Sequence, residues 1–147
     1  MALESYKKKR HLSCTPEPGP KIKKTGNRFV VQEHRATRLH WDFRLELDGV
    51  LKSWAVPKGP PEKPGLRRLA VEVEDHPVDY ITFEGTISQG EYGAGTVKIW
   101  DKGSFKLKRR TKDMYEFWLK GNRLNGKYAL VRFKEKNWLF LKTKSED

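Results

Sequence analysis

One cysteine, Cys14, in 147 residues excludes an intramolecular disulfide and any zinc site built from several thiolates. Such a chain suits a reducing, cytoplasmic setting. No apolar run approaches the roughly 18 residues that a membrane-spanning helix needs. The N-terminal MALESYKKKRHLSC carries charge with no apolar segment behind it, so neither a membrane anchor nor an export signal is expected. Helical periodicity of any useful length is missing, and so is a repeat of solenoid length. There is no Walker-type lysine loop. The glycine-rich Gln89-Gly90-Glu91-Tyr92-Gly93-Ala94-Gly95 lacks the Gly-x-Gly-x-x-Gly order and precedes no helical pattern, so it reads as a turn or bulge. Glu46-Leu47-Asp48-Gly49 has glutamate where the Lys-x-Asp-Gly motif of covalent nucleotidyl transfer needs its nucleophile, which argues against ligation by this chain.

Basic charge is what the chain has in excess: 31 Lys+Arg against 19 Asp+Glu, a formal +12. The excess is uneven. Residues 1–28 hold 8 basic and 2 acidic side chains and residues 102–144 hold 14 and 3, whereas residues 29–101 hold 9 and 12. A basic frame around an acidic middle fits a cation-dependent enzyme acting on a phosphate polyanion, because carboxylates serve the cation and Lys/Arg the substrate. Taken singly, each charge run also reads as an ordinary solvated face.

Along the chain, Thr15-Pro16-Glu17-Pro18-Gly19-Pro20 and the lysines after it mark residues 1–28 as an extended basic arm without helix or strand. From Phe29 onward short β-like runs alternate with turn residues. They are Phe29–His34, His40–Leu47, Val50–Val56, Arg68–Asp75, Tyr80–Phe83, Thr96–Trp100, Phe105–Lys108, Tyr115–Leu119, Lys127–Phe133 and Trp138–Leu141. Asp48-Gly49 is a two-residue hairpin signal. The fold predicted is mainly β, a compact antiparallel β-barrel or sandwich carrying an N-terminal arm.

Four histidines exist, and three fall in the acidic middle. In HWDFRLEL a period of two places His40, Asp42, Arg44 and Glu46 on one face and Trp41, Phe43, Leu45 and Leu47 on the other. The run before it aligns Val30, Gln32 and His34, so a neighbouring strand can set His34 beside His40 and Asp42. Two imidazoles and a carboxylate suit Mn²⁺, Zn²⁺ or Fe²⁺, and a phosphate-binding surface tilts the choice toward Mn²⁺. The same pattern also describes a half-buried hairpin whose polar face meets solvent. Arg44 bears on that choice, since a guanidinium beside a ligand set can fork onto phosphate oxygens. In Arg68–His76, Leu69, Val71 and Val73 alternate with Ala70, Glu72, Glu74 and His76. His76 can there serve as a proton donor with Glu74 orienting it. Tyr80 reads as a core residue whose hydroxyl can also meet phosphate.

Those residues lie in blocks, Phe29-Val-Val-Gln-Glu-His34 through His40-Trp-Asp-Phe-Arg-Leu-Glu46, Leu51-Lys-Ser-Trp-Ala-Val-Pro-Lys-Gly-Pro60, Val73-Glu-Asp-His-Pro-Val-Asp-Tyr80 and Glu91-Tyr-Gly-Ala-Gly95, that resemble the 3′-phosphoesterase domain of bacterial ligase D. The resemblance runs from about Arg10 to Leu141. It implies a β-barrel, residues 29–147, with an arm, residues 1–28, that contributes to the active site. It also implies a manganese-dependent enzyme that removes a 3′-terminal ribonucleoside and then the 3′-phosphate, leaving a 3′-OH on DNA or RNA-tipped DNA ends. By position, His34, His40 and Asp42 match metal ligands. Arg44 and His76 match a phosphate contact and a catalytic group, Gln32, Glu74 and Tyr80 match supporting positions, and Arg10 and Glu17 match an active-site arginine and glutamate. His11 departs from the aspartate common in the family. A DNA ligase and other end-joining proteins are the implied partners. A different class of reading remains beside this one: a non-catalytic basic barrel that binds nucleic acid through Trp100, Trp118 and Trp138 as stacking surfaces.

Overall fold

The computed structural model describes residues 3–9, 17, 26–88 and 94–144, without the side chain of Lys8. The chain runs through a short helix α1 (Glu4–Lys8) and nine strands: β1 (Arg28–Arg35), β2 (Leu39–Leu47), β3 (Val50–Val56), β4 (Arg67–His76), β5 (Gly85–Ile87), β6 (Gly95–Thr111), β7 (Met114–Gly121), β8 (Asn125–Lys134) and β9 (Asn137–Lys142). A 3-10 turn, Val78–Thr82, links β4 to β5. All strand pairings are antiparallel, in the order β1-β2-β3-β4-β9-β8-β7-β6, and β6 returns to pair with β1. Eight strands thus close a barrel, with β5 added alongside β6. The β2–β3 hairpin turns at Asp48 (φ 57°) and Gly49 (φ 78°), the two left-handed positions that the Asp-Gly pair supplies most cheaply.

Alternation of side chains divides the wall into an inner and an outer surface. Phe29, Phe43, Trp54, Phe117, Tyr128, Trp138 and Phe140 are all buried in the interior. Phe43 is central, with ring centroids 4.6 Å from Phe140, 5.9 Å from Phe117 and 6.1 Å from Phe29. Trp138 therefore belongs to the core, and Trp100 packs partly buried against it, so neither is an open stacking surface. A second apolar cluster lies on the outer wall, where Val30, Leu51 and Val97 meet Tyr80, Ile81, Phe83 and Ile87, capped by Leu3 and Tyr6 of the N-terminal segment.

Four departures from the sequence-based expectation have local causes. Tyr80–Phe83 is no strand: Pro77 fixes φ at −66° ahead of a tight turn in which Tyr80 N–H donates to the Pro77 carbonyl and Phe83 N–H to that of Tyr80. Thr96–Trp100 and Phe105–Lys108 are parts of one strand, β6, because Gly103 has no Cβ to strike the Lys120 carbonyl as the two strands cross. Glu4–Lys8 is helical within the segment expected to be extended, held by the burial of Tyr6 rather than by its own length. In β4 it is Ala70 that faces the interior while Leu69 stands 43% exposed, and a bulge follows, between the Ser53–Val73 and Leu51–His76 pairs. No helix among the described residues is long and apolar enough to cross a membrane.

Candidate functional site

The polar residues of β1 and β2 occupy the outer wall next to the second cluster. Register pairs His34 with His40 and Gln32 with Asp42, which sets both imidazoles around one carboxylate. Asp42 Oδ2 lies 3.3 Å from His40 Nε2, 3.6 Å from His34 Nδ1 and 3.5 Å from an Arg44 terminal nitrogen. The three prospective ligand atoms lie within 4.8 Å of one another. Since metal bonds to nitrogen and oxygen run near ~2.1 Å, small side-chain rotations bring such a trio onto one cation. The surroundings suit one too. His40 Nδ1–H donates to the Arg38 carbonyl at 3.1 Å, which fixes the ring with Nε2 facing Asp42. The donor set fits a divalent transition metal.

Burial alone would push the Asp42 carboxyl up, but the Arg44 guanidinium and the two imidazoles hold it well below the usual carboxylate range. For His40, burial works against the charged form and is outweighed by the Asp42 carboxylate, so its pKa is raised above 6.5.

Arg44 is fixed from several sides. Its Nε donates to Gln32 Oε1 at 2.7 Å, and its guanidinium sits 4.9 Å from the centre of the Tyr80 ring. One terminal nitrogen, Nη1, is buried with no hydrogen-bond partner among the described residues. Such an orphaned donor beside a cavity is what an oxyanion ligand satisfies. Gln32 is wholly buried and spends its amide nitrogen on the carbonyls of Tyr80 (2.8 Å) and Phe83 (3.1 Å), tying the 3-10 turn to the wall.

The cavity in front of these groups has a volume of about 310 Å³. Glu17, His34, His40, Asp42, Arg44, Glu74, His76 and Tyr80 reach it, along with the apolar Ala36, Ala55, Val73 and Ile87. Tyr80 O–H donates to Glu17 Oε2 at 3.0 Å, so the one described residue between 10 and 25 is docked at the site. His76 is 4% exposed, and its Nδ1–H donates to the Glu74 backbone carbonyl at 2.9 Å. The sequence pattern has the Glu74 side chain orienting His76. The Glu74 backbone carbonyl is what takes the His76 Nδ1–H, and the Glu74 carboxylate meets Lys9 Nζ at 3.4 Å. Gln32 stands behind the cavity, supporting Arg44. Arg10 and His11 lie outside the described residues. Sequence reasoning misses Tyr6 altogether, yet its buried ring meets that of His76 edge-on at 5.2 Å. Its only signal is the three-residue spacing of Leu3 and Tyr6 amid charge.

Comparison with known proteins matches residues 32–132 to the family of the DNA ligase D 3′-phosphoesterase domain. The multifunctional non-homologous end joining protein LigD of Mycolicibacterium smegmatis is 48% identical across 98% of this chain, which spans 21% of that protein. The protein of the same name from Pseudomonas aeruginosa is 48% identical across 97% of the chain and 18% of its own length. The multifunctional non-homologous end joining DNA repair protein LigD of Mycobacterium tuberculosis is 47% identical across 98% and 20%. The chain thus spans about a fifth of these relatives.

Proposed function

The chain belongs to the DNA ligase D 3′-phosphoesterase domain family, and from that premise we propose that it heals DNA 3′ ends. It removes a terminal ribonucleoside by phosphodiester hydrolysis and then the remaining 3′-phosphate, exposing a 3′-OH for a ligase in end joining. The observation that carries this reading is the His34–His40–Asp42 cluster beside the buried Arg44 guanidinium on one cavity. Residues 29–147 form the catalytic barrel in this proposal, and residues 1–28 an arm that contributes to the active site. A soluble, cytoplasmic protein with no membrane role is the corresponding setting.

His34, His40 and Asp42 would hold the cation, for which we propose Mn²⁺; when bound, it supplies Lewis-acid polarisation of a phosphoryl oxygen. Arg44 binds the remaining oxygens through its orphaned Nη1, kept in place by Gln32. The Glu74 carbonyl fixes Nδ1–H of His76, so proton exchange falls to Nε2, which as part of an imidazolium protonates the leaving oxygen. The Glu17–Tyr80 pair lines the cavity beside these groups, and Arg10, outside the described residues, is assigned as a further phosphate contact. No serine, threonine or cysteine lines the cavity among the described residues, which favours water as the nucleophile.

A labelled primer ending in one 3′-ribonucleotide, incubated with and without Mn²⁺, tests the reading. The expected products are first a 3′-phosphate and then a 3′-OH, both lost on chelation. His40→Ala should lose turnover of a 3′-phosphorylated primer by a factor on the order of a hundred or more. Undiminished activity in that variant overturns the site.

A further inference from the structure

We propose that the outer surface of β6, β7 and β8 around Trp118 is a second nucleic-acid contact, gripping the phosphodiester backbone of the substrate away from its reacting end. This rests on the reading of the substrate as a nucleic acid. Trp118 is the cross-strand partner of Lys106 on one side and of Lys127 on the other, so all three project from one face, opposite Phe105, Phe117 and Tyr128 in the core. Lys108 Nζ lies 5.9 Å from the centre of the indole. Lys127 is 8% exposed. None of Lys106, Lys108 and Lys127 forms an ion pair among the described residues, and the neighbouring Glu116 carboxylate is committed to Arg109 Nε at 2.7 Å.

Three lysines set side by side on adjacent strands with no ion-pair partner among the described residues weaken a sheet. The crowding is visible in Lys127, whose pKa the Lys108 ammonium holds below the usual lysine range. A row of phosphates reverses that cost, and the half-buried indole between the lysines offers the flat surface on which a sugar or an unpaired base rests. Placement agrees with substrate dimensions. Val97 pairs with His34 of the candidate metal cluster, and from Val97 to Lys106 there is at most about 30 Å of strand, within the reach of one turn of duplex.

The experiment uses the full chain, its Lys106→Gln/Lys108→Gln/Lys127→Gln variant, the single Lys108→Gln variant and Trp118→Leu. Two probes are compared: a fluorescent duplex ending in a 3′-phosphate, titrated by anisotropy over a salt series, and a deoxynucleoside 3′-monophosphate assayed for phosphate release. The triple variant should bind the duplex at least tenfold more weakly at low salt. The slope of log affinity against log salt should shrink by up to about 0.9 for each phosphate that is no longer neutralised. Lys108→Gln, whose exposed side chain leaves the core untouched, should show a smaller change of the same sign. Trp118→Leu should abolish part of the tryptophan quenching that DNA causes. Turnover of the mononucleotide should be unchanged throughout. Unchanged duplex affinity and salt slope in the triple variant, with hydrolysis intact, overturns the contact alone. If the unmodified chain releases no phosphate from the mononucleotide or from the duplex end, assayed alongside, while the variants still bind duplex more weakly, the phosphoesterase reading fails and the contact stands.

Discussion

Gln32 has no exposed surface, yet three hydrogen bonds meet on it, one from Arg44 and two to the carbonyls of the 3-10 turn. Replacing it by leucine strands all three partners in a dry place. The expected cost is on the order of 2–4 kcal/mol in denaturant unfolding. Because Arg44 is then free to swing, KM for a 3′-phosphorylated primer should rise more than kcat falls. A second residue-level expectation concerns protons competing for the metal cluster. His40 titrates above its ordinary 6.5 in the metal-free protein, and only the neutral imidazole is a ligand. Apparent Mn²⁺ affinity, followed by isothermal titration, should therefore begin to fall at a pH above 6.5 as the solution is acidified; a decline confined to lower pH contradicts this. The same raised pKa stabilises the metal-free fold below pH 6.5, and that contribution disappears as pH rises through the folded-state value.

Asp101 organises a whole element. It is 2% exposed, and its two oxygens accept the backbone N–H groups of Lys102, Asn122, Arg123 and Leu124 at 2.8–3.1 Å, binding the β7–β8 turn to β6. Asp101→Asn replaces one acceptor with a donor facing N–H groups, so amide exchange at residues 122–124 should accelerate by at least tenfold while the remaining strands stay protected. Elements of this kind mark what the sequence could and could not convey. The β1–β2 pair was legible because both rules that define it are local: alternation chooses the face, and the short connection between the strands sets the register that joins His34 to His40. The β2–β3 turn was equally open to reading through Asp48-Gly49. The 3-10 turn, the bulge in β4 and the continuity of β6 were hidden, since each depends on a distant partner: the Gln32 amide, the Leu51–Ser53 stretch of β3 and the Lys120 carbonyl. The Tyr80–Glu17 contact spans 63 positions and has no periodic trace.

At the scale of the molecule, the interior and the chemistry are separate layers of a single wall. Phe43→Ala empties the centre of the aromatic interior without touching the cavity groups, and it should cost about 3–5 kcal/mol in thermal or denaturant unfolding. At temperatures where that variant remains folded, its kcat should stay within a few-fold of the unmodified chain. Loss of catalysis ahead of unfolding would show that the layers are coupled. The closure of β6 onto β1 has one more consequence. Closure of the ring shortens the open edges that a neighbouring copy can extend: among the described residues β5, paired on a single side, is three residues long, and β6 from Lys106 to Thr111 pairs with β7 alone. Copies of the chain can therefore crowd together at high local density with little open backbone for one to annex from another.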